Sequence, residues 1–492
     1  MAKKPNQTIQ ALVNKIIKYD PKADIDIIRL AYDFAADAHK GQTRKSGEPY
    51  ITHPLAAAHI LADMRIDPVI ITATLLHDVP EDTEITLEEI EKNFGSEIGS
   101  LVRGITKLGK LKYRGVERYI ENLRKMFVAM AEDIRVMIIK FADRIHNLST
   151  LSSLPPQKQY RIALESLEIY APLANRLGIA EMKGALEDLA FKYVYPKEYY
   201  KVKELREAKY KGKEQYLKEM QKKAEAEIKK TGVKIISIHG REKRLYSLYQ
   251  KMIRKDNQVA KIYDIFAIRI IVSNIADCYA TLGILHKIWK PVKGRIKDYI
   301  SQPKPNGYQS LHTTVFSDNG EIIEFQIRTL QMHEEAEYGV AAHWQYDENG
   351  SRLPARQLKW VKELAEIQKD ILQNLTDLEA MKVDFLQTRI FVFTPKGDVI
   401  DLPEGATPVD FAYHIHTEIG SKCSAATVND KIVKLDTSLN NGDVVEIIID
   451  KNRKGPNQDW LSFVKTHTAK CHIKNQKKTK LTGWLKSVLP KK

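Results

Sequence analysis

Cysteine is scarce in this chain, whose 492 residues contain three: Cys278, Cys423 and Cys471. They lie far apart and match neither a metal-ligand nor a disulfide spacing, which excludes a disulfide scaffold and favours a reducing, cytoplasmic compartment. No apolar run approaches the roughly 18 residues of a membrane span, so we predict no membrane contact. The first residues, MAKKPNQTIQ, lack the apolar segment of a secretory signal.

Positive charge, by contrast, is abundant and localised. Lysine and arginine outnumber aspartate and glutamate by 78 to 63, a net charge of +15. Residues 451–492 hold twelve of these cations and one acid, so this basic tail carries +11. Such a tail predicts contact with nucleic acid, for example ribosomal RNA, or else a solvated terminus. Trp460, Phe463 and Trp484 give it apolar anchors that a disordered tail would lack.

The length predicts about three domains at roughly 100–200 residues each. Apolar residues at three- and four-residue spacing predict helices first, and short β-rich runs separated by helical ones follow. We find no internal repeat, and the oligomeric state stays open. The predicted organisation is a helical domain at 1–196, a mixed α/β domain at 197–350 that begins with an exposed connecting helix at 197–230, a helical linker at 351–387, a small mixed domain at 388–450 and the basic tail at 451–492.

Ionisable residues gather at helix ends in the first domain. A His-Asp pair follows the apolar run ITATLL, and two acids stand one helical turn later on the same face. A further histidine opens a helix, and an aspartate ends the run IIKFA with an asparagine one turn on. In chain order these residues are His53, His77, Asp78, Glu81, Asp82, Asp143 and Asn147.

Two histidines and two aspartates suit a mixed nitrogen and oxygen site for Mn²⁺, Fe²⁺ or Zn²⁺. Burying several carboxylates unpaired is costly, whereas a divalent cation neutralises them. A metal-activated water would be the nucleophile, and Glu81 with Asp82 could orient or deprotonate it. The simpler alternative is that His77 and Asp78 only form a helix-end pair, and the wider cluster argues against it.

A basic cluster marks a strand-to-helix transition in the second domain. The segment HGREKRLYSLYQKM supplies Arg241, Lys243, Ser247 and Lys251. Three cations and a hydroxyl near a helix start combine point charges with the positive end of the helix dipole, an arrangement that binds polyphosphates. A solvated basic face is the alternative for such a run taken by itself.

Carboxylates downstream favour a nucleotide site over that alternative. Asp264 begins the strand DIFAIRIIV. Glu324 alternates with apolar residues along EFQIR, so that it shares one face of a strand with Gln326 and Arg328. Asp264 and Glu324 could hold Mg²⁺, which prefers one or two carboxylates plus substrate phosphates. Glu324 could also accept the proton of an attacking hydroxyl.

The turn GRIKDYISQPKPNGYQSLHTTVF lies between these carboxylates and is fixed by its prolines and an Asn-Gly pair. Tyr308 offers a face for a purine, and stacking contributes roughly 1–3 kcal/mol per base. The alternative is a packed aromatic, which the polar surroundings make a weaker explanation. The polar residues of this turn are Arg295, Lys297, Lys304, Asn306, Gln309 and His312.

Together the motifs RKSGEPYITHP, LLHDVPEDT, FADRIHNL, HGREKRLYSLYQKM, NGYQSLHT and EFQIRT resemble the RelA/SpoT family of alarmone synthetase/hydrolases. The resemblance extends over about residues 25–450. It implies a multidomain α+β fold class with an all-α HD-type hydrolase domain, a mixed α/β nucleotidyltransferase-like synthetase domain and a small β-grasp-like TGS domain.

For the first domain, the resemblance implies removal of the 3′-pyrophosphate from (p)ppGpp. Matched position by position, Glu81 and Asp82 correspond to the family's catalytic acids. Arg44 and Lys45 correspond to the pair that packs against guanine, and Asn147 to a nucleotide contact. The implied Mn²⁺ ligands are His53, His77, Asp78 and Asp143.

For the second domain, it implies transfer of pyrophosphate from ATP to the 3′-hydroxyl of GDP or GTP, forming AMP and (p)ppGpp. The basic tetrapeptide RIKD, which contains Arg295 and Lys297, is the form associated with bifunctional members. The implied contacts are Arg241, Lys243, Ser247 and Lys251 to ATP, Asp264 and Glu324 to Mg²⁺, Tyr308 to guanine, and Asn306 and His312 to phosphates.

Two alternatives stay open. The chain could be mainly a hydrolase with a weakly active, nucleotide-sensing synthetase domain, against which intact Asp264, Glu324 and Tyr308 argue. It could instead be a ribosome- or RNA-binding regulator acting through its basic tail and its TGS domain, which in long family members meets tRNA or regulatory proteins. The zinc-finger-like and ACT-type modules that usually follow in the family are not found within the 492 residues.

Overall fold

A computed structural model of the chain divides it into two compact units, Met1–Lys369 and Asp370–Lys492. Asp264 and the predicted helical linker at 351–387 lie outside the residues that the structure describes. Within the described ranges, every helix is too short or too polar to span a bilayer. The described residues are 7–109, 125–126, 128–130, 132–210, 213–254, 266–304, 306–339, 389–440, 442–453, 455–466 and 468–474.

The described N-terminal part of the first unit is helical, as the periodicity predicts. A π-helical segment, Ser166–Tyr170, joins two of its later helices, and a short 3₁₀ turn spans Leu151–Ser153. The α-helices are α1 Ile9–Tyr19, α2 Ile25–Ala38, α3 Thr52–Asp63, α4 Pro68–Leu76, α5 Val79–Asp82, α6 Leu87–Phe94, α7 Ser96–Gly109, α8 Arg135–Ser149, α9 Pro156–Glu165, α10 Ala171–Arg176 and α11 Ala180–Val194.

Helix α4 explains how an ionisable cluster comes to be buried. Its sequence, PVIITATLL, is apolar on every side, which is typical of a central helix. It packs against α2, α3 and α7. The Asp67 side chain accepts a hydrogen bond from the Val69 amide and caps the first turn, with Pro68 at the first helical position. Because α4 ends at Leu76, the next residue, His77, lies in the interior of the helical bundle.

The charge-rich stretch after residue 196 forms two helices, α12 Pro196–Tyr210 and α13 Glu214–Lys229, instead of one exposed helix. Helix α13 packs against the first strand of the neighbouring sheet. It does so through buried apolar residues spaced three or four apart, a stripe that the surrounding lysines and glutamates obscure in the sequence. These residues are Leu217, Met220, Ala224 and Ile228.

A five-stranded sheet forms the rest of the described first unit, in the order β1-β2-β5-β4-β3. Strands β2 and β5 are parallel, whereas the other neighbouring pairs are antiparallel. The segment SDNGE joins β4 and β5 as a hairpin. The strands are β1 Ile235–Glu242, β2 Phe266–Val272, β3 Lys297–Asp298, β4 Leu311–Phe316 and β5 Ile322–Thr329; the helices are α14 Leu245–Arg254, α15 Ile275–Ile288 and α16 Leu330–Tyr338.

The strand register aligns polar residues in a row across the sheet. Directly registered neighbours share a face, so one polar side chain from each strand contributes to the same surface. In spatial order the row is His239, Arg269, Gln326, His312 and Lys297.

Two glycines join the helical and α/β parts of the first unit. Gly339 follows α16 with a φ of 56°, and a Cβ placed there would lie 2.3 Å from the Leu177 carbonyl oxygen. Gly178 has a φ of 76°, and its Cβ position would be 3.0 Å from the Asn306 carbonyl oxygen. Both the backbone conformation and the close approach therefore require glycine.

The second unit contains a two-stranded and a three-stranded sheet around one main helix. Thr407 and Asp410 form a capping box at that helix. The elements are β6 Arg389–Phe393, β7 Val399–Pro403, α17 Pro408–Ile415, α18 Thr417–Lys422, β8 Cys423–Val428, β9 Lys431–Val433, β10 Val445–Ile449 and a 3₁₀ turn at Gln458–Ser462.

The first half of the predicted basic tail belongs to the core of this second unit. Trp460, Val464, Ala469 and Ile473 are buried with residues of α17 and β8. Asp410 fastens this segment, because its carboxylate accepts five hydrogen bonds of 2.7 to 2.9 Å. The donors are the amides of Thr407, Lys465 and Thr466 and the hydroxyls of Thr407 and Thr466.

We expect Asp410→Asn to destabilise the second unit by about 3 kcal/mol, because hydrogen bonds to a buried charged group contribute more than neutral ones and the new amide would face donors. The measurement is hydrogen exchange of the full chain followed by mass spectrometry. Amides of 408–415 and 460–473 should exchange about a hundredfold faster. The exposed Asp430→Asn makes the same chemical change and should leave these rates unaltered. Equal protection in both variants would contradict the assigned role of Asp410.

Candidate metal and nucleotide sites

His77 carries a buried nitrogen whose lone pair is not used within the described structure. Its Nδ1 donates to the Thr74 carbonyl oxygen at 2.7 Å, which leaves Nε2 unprotonated in the neutral ring. Nε2 has no hydrogen-bond donor among the described residues. It lies 3.1 Å from Asp78 Oδ1, so in the neutral ring two acceptors face each other. A cation resolves this repulsion.

His53 and Asp143 complete the same cluster from α3 and α8. One ligand atom each of His53, His77 and Asp143 lies within 4.8 Å of the other two, and all three side chains are buried. His53 Nε2 is 3.2 Å from Asp143 Oδ1 and 3.5 Å from Asp78 Oδ2. The four residues predicted from the sequence are thus brought together, and their nitrogen and carboxylate donors fit a divalent metal.

The Lys140 ammonium and a hydrogen bond from His53 keep the Asp143 carboxylate ionised despite its burial. Burial alone would raise its pKa, but the Lys140 ammonium at 2.7 Å and the nearby His53 hold the pKa of Asp143 well below its usual range. Asn147 Nδ2 donates to Asp143, and Asn147 Oδ1 accepts from Arg44 Nη2 at 2.7 Å. Asn147, a predicted nucleotide contact, is therefore hydrogen-bonded to Asp143, a predicted metal ligand, and to Arg44.

Tyr50 joins the metal cluster to the predicted catalytic acids. Its hydroxyl lies 2.9 Å from Asp78 Oδ2 and 2.5 Å from Asp82 Oδ2. Burial, followed by these two carboxylates, raises the pKa of Tyr50, so the phenol stays protonated and donates. The ring of His39 stacks on it at a centroid distance of 4.4 Å. Asp82 and its neighbour Glu81 are exposed at the edge of the cluster, where water reaches them.

A cavity of about 520 Å³ adjoins the cluster, a volume in the range of small-molecule sites. Five cationic side chains line it, together with Asn147, Asp143 and Tyr50, so it suits an anionic ligand of nucleotide size. The predicted guanine contacts Arg44 and Lys45 are both in its wall. The five cations are Arg44, Lys45, Lys140, Arg144 and Arg161.

In the α/β part, hydrogen bonds join the predicted synthetase residues across the sheet. Glu324 Oε1 accepts from Gln326 Nε2 at 2.8 Å and lies 3.2 Å from His312 Nδ1. Arg241 Nη1 donates to Gln326 Oε1 at 3.1 Å, and His312 Nε2 is 2.8 Å from the Tyr308 hydroxyl. Burial lowers the pKa of His312, so its neutral ring donates to Glu324 and accepts from Tyr308.

Lys304 lies against the two aromatic rings of the predicted purine turn. Its Nζ is 4.6 Å from the Tyr299 centroid and 4.8 Å from the Tyr308 centroid. Burial, followed by the nearby Lys297, lowers the pKa of Lys304 to about 8. Its ammonium is therefore partly deprotonated just above neutral pH, unlike that of an ordinary lysine.

The remaining predicted residues are distributed around this network. Lys243 connects β1 to α14, and Ser247 and Lys251 lie half-buried on α14. Arg295 is exposed before β3, and Lys297 opposes His312 in the register of the sheet. Two predicted residues make hydrogen bonds to the backbone of the purine turn. Asn306 Oδ1 accepts from the Tyr308 amide at 3.3 Å, and Gln309 Nε2 donates to the Ile300 carbonyl oxygen at 3.1 Å.

Several residues of both clusters escaped the sequence analysis. Two of them carry a recognisable signal, an ionisable residue inside an otherwise apolar run: the lysine of MIIKFAD and the arginine of FAIRIIV. Periodicity assigns such positions to the core, where a charge needs a partner or a ligand. The residues missed are Tyr50, Lys140, His239 and Arg269, together with His146, whose Nδ1 is 2.7 Å from His53 Nδ1, and His333 and Glu337, which both contact Arg328.

Three known families match successive parts of the chain. The HD domain matches residues 31–180, the region found in RelA / SpoT proteins matches residues 240–351, and the TGS domain matches residues 390–449. These matches confirm the predicted fold class: a helical HD domain, a mixed α/β synthetase-type domain and a small TGS domain.

Among curated proteins, the chain is 46% identical over 475 residues to a "guanosine-3′,5′-bis(diphosphate) 3′-pyrophosphohydrolase" of Aquifex aeolicus, covering 96% of this chain and 68% of that protein. It is 46% identical over 467 residues to the "bifunctional (p)ppGpp synthase/hydrolase SpoT" of Escherichia coli, with coverages of 94% and 66%. A "GTP pyrophosphokinase" of Myxococcus xanthus is 46% identical over 465 residues, with coverages of 93% and 61%.

The chain thus spans about three fifths to two thirds of the length of these relatives. The identity is spread over nearly all of the chain instead of one domain. Because it is 46% identical to a relative of which it covers 68%, the chain belongs to the RelA/SpoT family.

Proposed function

We propose that this chain is a bifunctional alarmone enzyme. One site transfers pyrophosphate from ATP to the 3′-hydroxyl of GDP or GTP, and the other hydrolyses (p)ppGpp to GDP or GTP and pyrophosphate. Family membership supports the reaction class. The observation that carries the proposal is that both constellations occur in one compact unit: a buried His-Asp cluster beside a cationic cavity, and a Glu-His-Tyr network on a polar sheet face.

In the proposed hydrolysis, His53, His77, Asp78 and Asp143 hold Mn²⁺, which suits their mixed nitrogen and oxygen donors. When bound, such a cation supplies Lewis acidity to the phosphate under attack and counter-charge to the departing group. Glu81 and Asp82 are exposed beside the cluster and orient and deprotonate the attacking water. Arg44 and Lys45 pack against guanine in the cavity, and Asn147 contacts the nucleotide.

In the proposed synthesis, Glu324 takes the proton from the 3′-hydroxyl of the acceptor. His312 donates to Glu324 and thereby fixes the orientation of the carboxylate. Tyr308 stacks on the guanine, while Lys304 and Asn306 lie on the same turn beside the phosphates. Mg²⁺ held by Asp264 and Glu324 would neutralise phosphate charge. ATP binds to the basic cluster of Arg241, Lys243, Ser247 and Lys251, near the start of α14.

Two substitutions should separate the reactions. We expect His77→Ala to lose Mn²⁺ binding and to reduce (p)ppGpp hydrolysis at least a thousandfold, because the buried ligand is removed. We expect Glu324→Gln to reduce synthesis about a thousandfold, within the range contributed by a general base. Each variant should retain the other reaction. Rates are measured with ATP plus GDP and Mg²⁺ or with ppGpp and Mn²⁺, and Mn²⁺ binding by electron paramagnetic resonance.

Glu321→Gln is the matched control for the synthetase variant, because Glu321 lies just before β5 and pairs with Lys213 at the surface. It should keep both activities. A wild-type chain that hydrolyses but does not synthesise would favour the alternative of a hydrolase with a silent, nucleotide-sensing synthetase domain. Loss of both activities in either variant would indicate one shared site and would contradict the proposal.

Lys304 predicts a pH dependence of guanine nucleotide binding. Its lowered pKa of about 8 means that the ammonium is charged below pH 8 and neutral above it. We expect the affinity for fluorescently labelled GDP to fall about tenfold between pH 7 and 9.5, because a cation that faces the phosphates is lost. The charged groups around Lys304 are Lys297, Glu324, Arg241 and Lys183.

The control is Lys304→Arg, in which the guanidinium stays charged throughout this range. The labelled-GDP affinity of this variant should be nearly constant from pH 7 to 9.5. If wild type and variant show the same slope, another group is responsible and the assigned role of Lys304 is wrong.

A second candidate function is contact with RNA through the basic tail, and we place both functions in the cytoplasm. Six lysines follow residue 474, so deleting 475–492 removes half of the twelve cations without touching the packed segment around Trp460. We expect this deletion to weaken binding to ribosomal RNA and to reduce the salt dependence of that binding, with both enzymatic rates unchanged. An unchanged salt dependence would exclude the tail as an RNA contact.

A further inference from the structure

Two buried arginines converge on one carboxylate behind the proposed synthetase site. Arg269 lies on β2 and Arg328 near the end of β5, and their side chains are 6% and 1% exposed. Arg269 Nη1 is 2.9 Å and Arg328 Nη2 is 2.7 Å from the same atom, Glu337 Oε1. Arg328 Nη2 also donates to His333 Nδ1 at 2.6 Å. Helix α16 supplies both Glu337 and His333.

The charges in this cluster do not cancel. Burial, followed by Arg328, lowers the pKa of His333 to about 4, so His333 is neutral and accepts the hydrogen bond. Burial opposes the ionisation of Glu337, but Arg269 and Arg328 outweigh it and lower the pKa of Glu337 to about 2. Two guanidiniums therefore share a single carboxylate, and one positive charge is left over.

Several nitrogens of the pair also lack acceptors. Nε and Nη2 of Arg269, and Nε and Nη1 of Arg328, find no hydrogen-bond partner among the described residues. Unsatisfied buried donors are costly, and a guanidinium cannot escape by losing its proton at neutral pH. Among the described residues, Glu337 is the anion that both guanidiniums contact, at 2.9 Å from Arg269 and 2.7 Å from Arg328.

The cluster lies beside the proposed guanine platform and, through Gln326, is connected to Arg241 of the proposed ATP site. Arg328 Cζ lies 6.0 Å from the centroid of the Tyr308 ring, the proposed guanine platform. Arg269 is registered opposite Gln326, whose amide links Glu324 to Arg241. A displacement of either guanidinium therefore changes the surroundings of a substrate-binding side chain.

We propose that Glu337 is a positioning residue for synthesis: it holds Arg328 beside the Tyr308 ring and Arg269 beside Gln326, and so sets the geometry of the guanine platform. This role rests on the proposed synthetase function. A positioning role differs from the role of a buried ion pair that only stabilises the fold. Loss of such an ion pair lowers stability without selectively weakening nucleotide binding.

The test is Glu337→Gln in the full chain. The neutral amide keeps the shape but no longer offsets the repulsion between the two guanidiniums, which then separate. We expect the Kd of labelled GDP and the KM for GDP in synthesis to rise about tenfold, with the rate of (p)ppGpp hydrolysis unchanged. Glu335→Gln is the matched control, because Glu335 lies on the same helix and contacts Gln331 at the surface. It should bind labelled GDP like wild type.

A double variant separates positioning from general destabilisation. In an Arg328→Gln background, Glu337→Gln should weaken GDP binding by less than twofold, because the guanidinium beside Tyr308 is already absent and no longer repels Arg269. If the two effects multiply independently, Glu337 does not act through Arg328 and the proposal is overturned. It is equally overturned if Glu337→Gln binds GDP like wild type.

Should Glu337→Gln fail to fold, which a parallel loss of hydrolysis would reveal, Glu337→Asp decides the question. Aspartate keeps the charge but is one methylene shorter, so it cannot reach both guanidiniums. A raised Kd for labelled GDP with normal hydrolysis supports the proposal, and an unchanged Kd refutes it. A wild-type chain that neither binds GDP nor makes (p)ppGpp would instead contradict the proposed function, independently of Glu337.

Discussion

Both proposed sites depend on ionisable groups that are buried with an incomplete set of partners. His77 presents an unprotonated nitrogen to the Asp78 carboxylate, and Arg269 and Arg328 share one carboxylate. Such arrangements are unfavourable in an apolar interior unless a ligand supplies the missing charge. The elements beside them are closely packed: α4 is apolar on every side, and every residue of β2 is buried. The stability of these elements holds the polar atoms in place for a ligand.

Helix α16 shows how closely the two site-bearing parts are joined. Glu337 faces the arginine pair of the sheet, whereas Glu334 reaches Arg65 of the helical part at 3.7 Å. The helix then ends at Gly339, whose backbone lies against Leu177 and Gly178. Gly178 in turn approaches the carbonyl of Asn306, on the turn that carries the proposed guanine platform. Neither part can therefore shift at this contact without moving a backbone segment of the other.

The sequence was sufficient for those features that depend on residue type and local spacing. Three of the four proposed metal-site residues lie at helix ends, and the fourth, Asp143, follows an apolar run within α8; the polar row of β5 follows from its two-residue alternation. Pairings between distant segments could not be predicted in this way. Glu337 and Arg269 are far apart in the chain, and their contact depends on strand order and on the placement of α16. The apolar stripe of α13 was missed for a related reason: without the sheet, its four apolar residues appear too few among the charges.

The basic tail illustrates why charge alone is a weak guide to a partner. Arg453 donates to the Cys423 carbonyl oxygen at 2.7 Å and lies 4.7 Å from the Trp460 ring centroid, so this cation is part of the fold. The amide of Lys465 is likewise bound to Asp410, although its side chain is exposed. A segment that buries Trp460 and Ile473 is constrained in position. A polyanion could therefore contact only those charges of the segment that lie at the surface. The electrostatic argument for RNA contact therefore applies to the exposed lysines and to those after residue 474, not to the whole charge of +11.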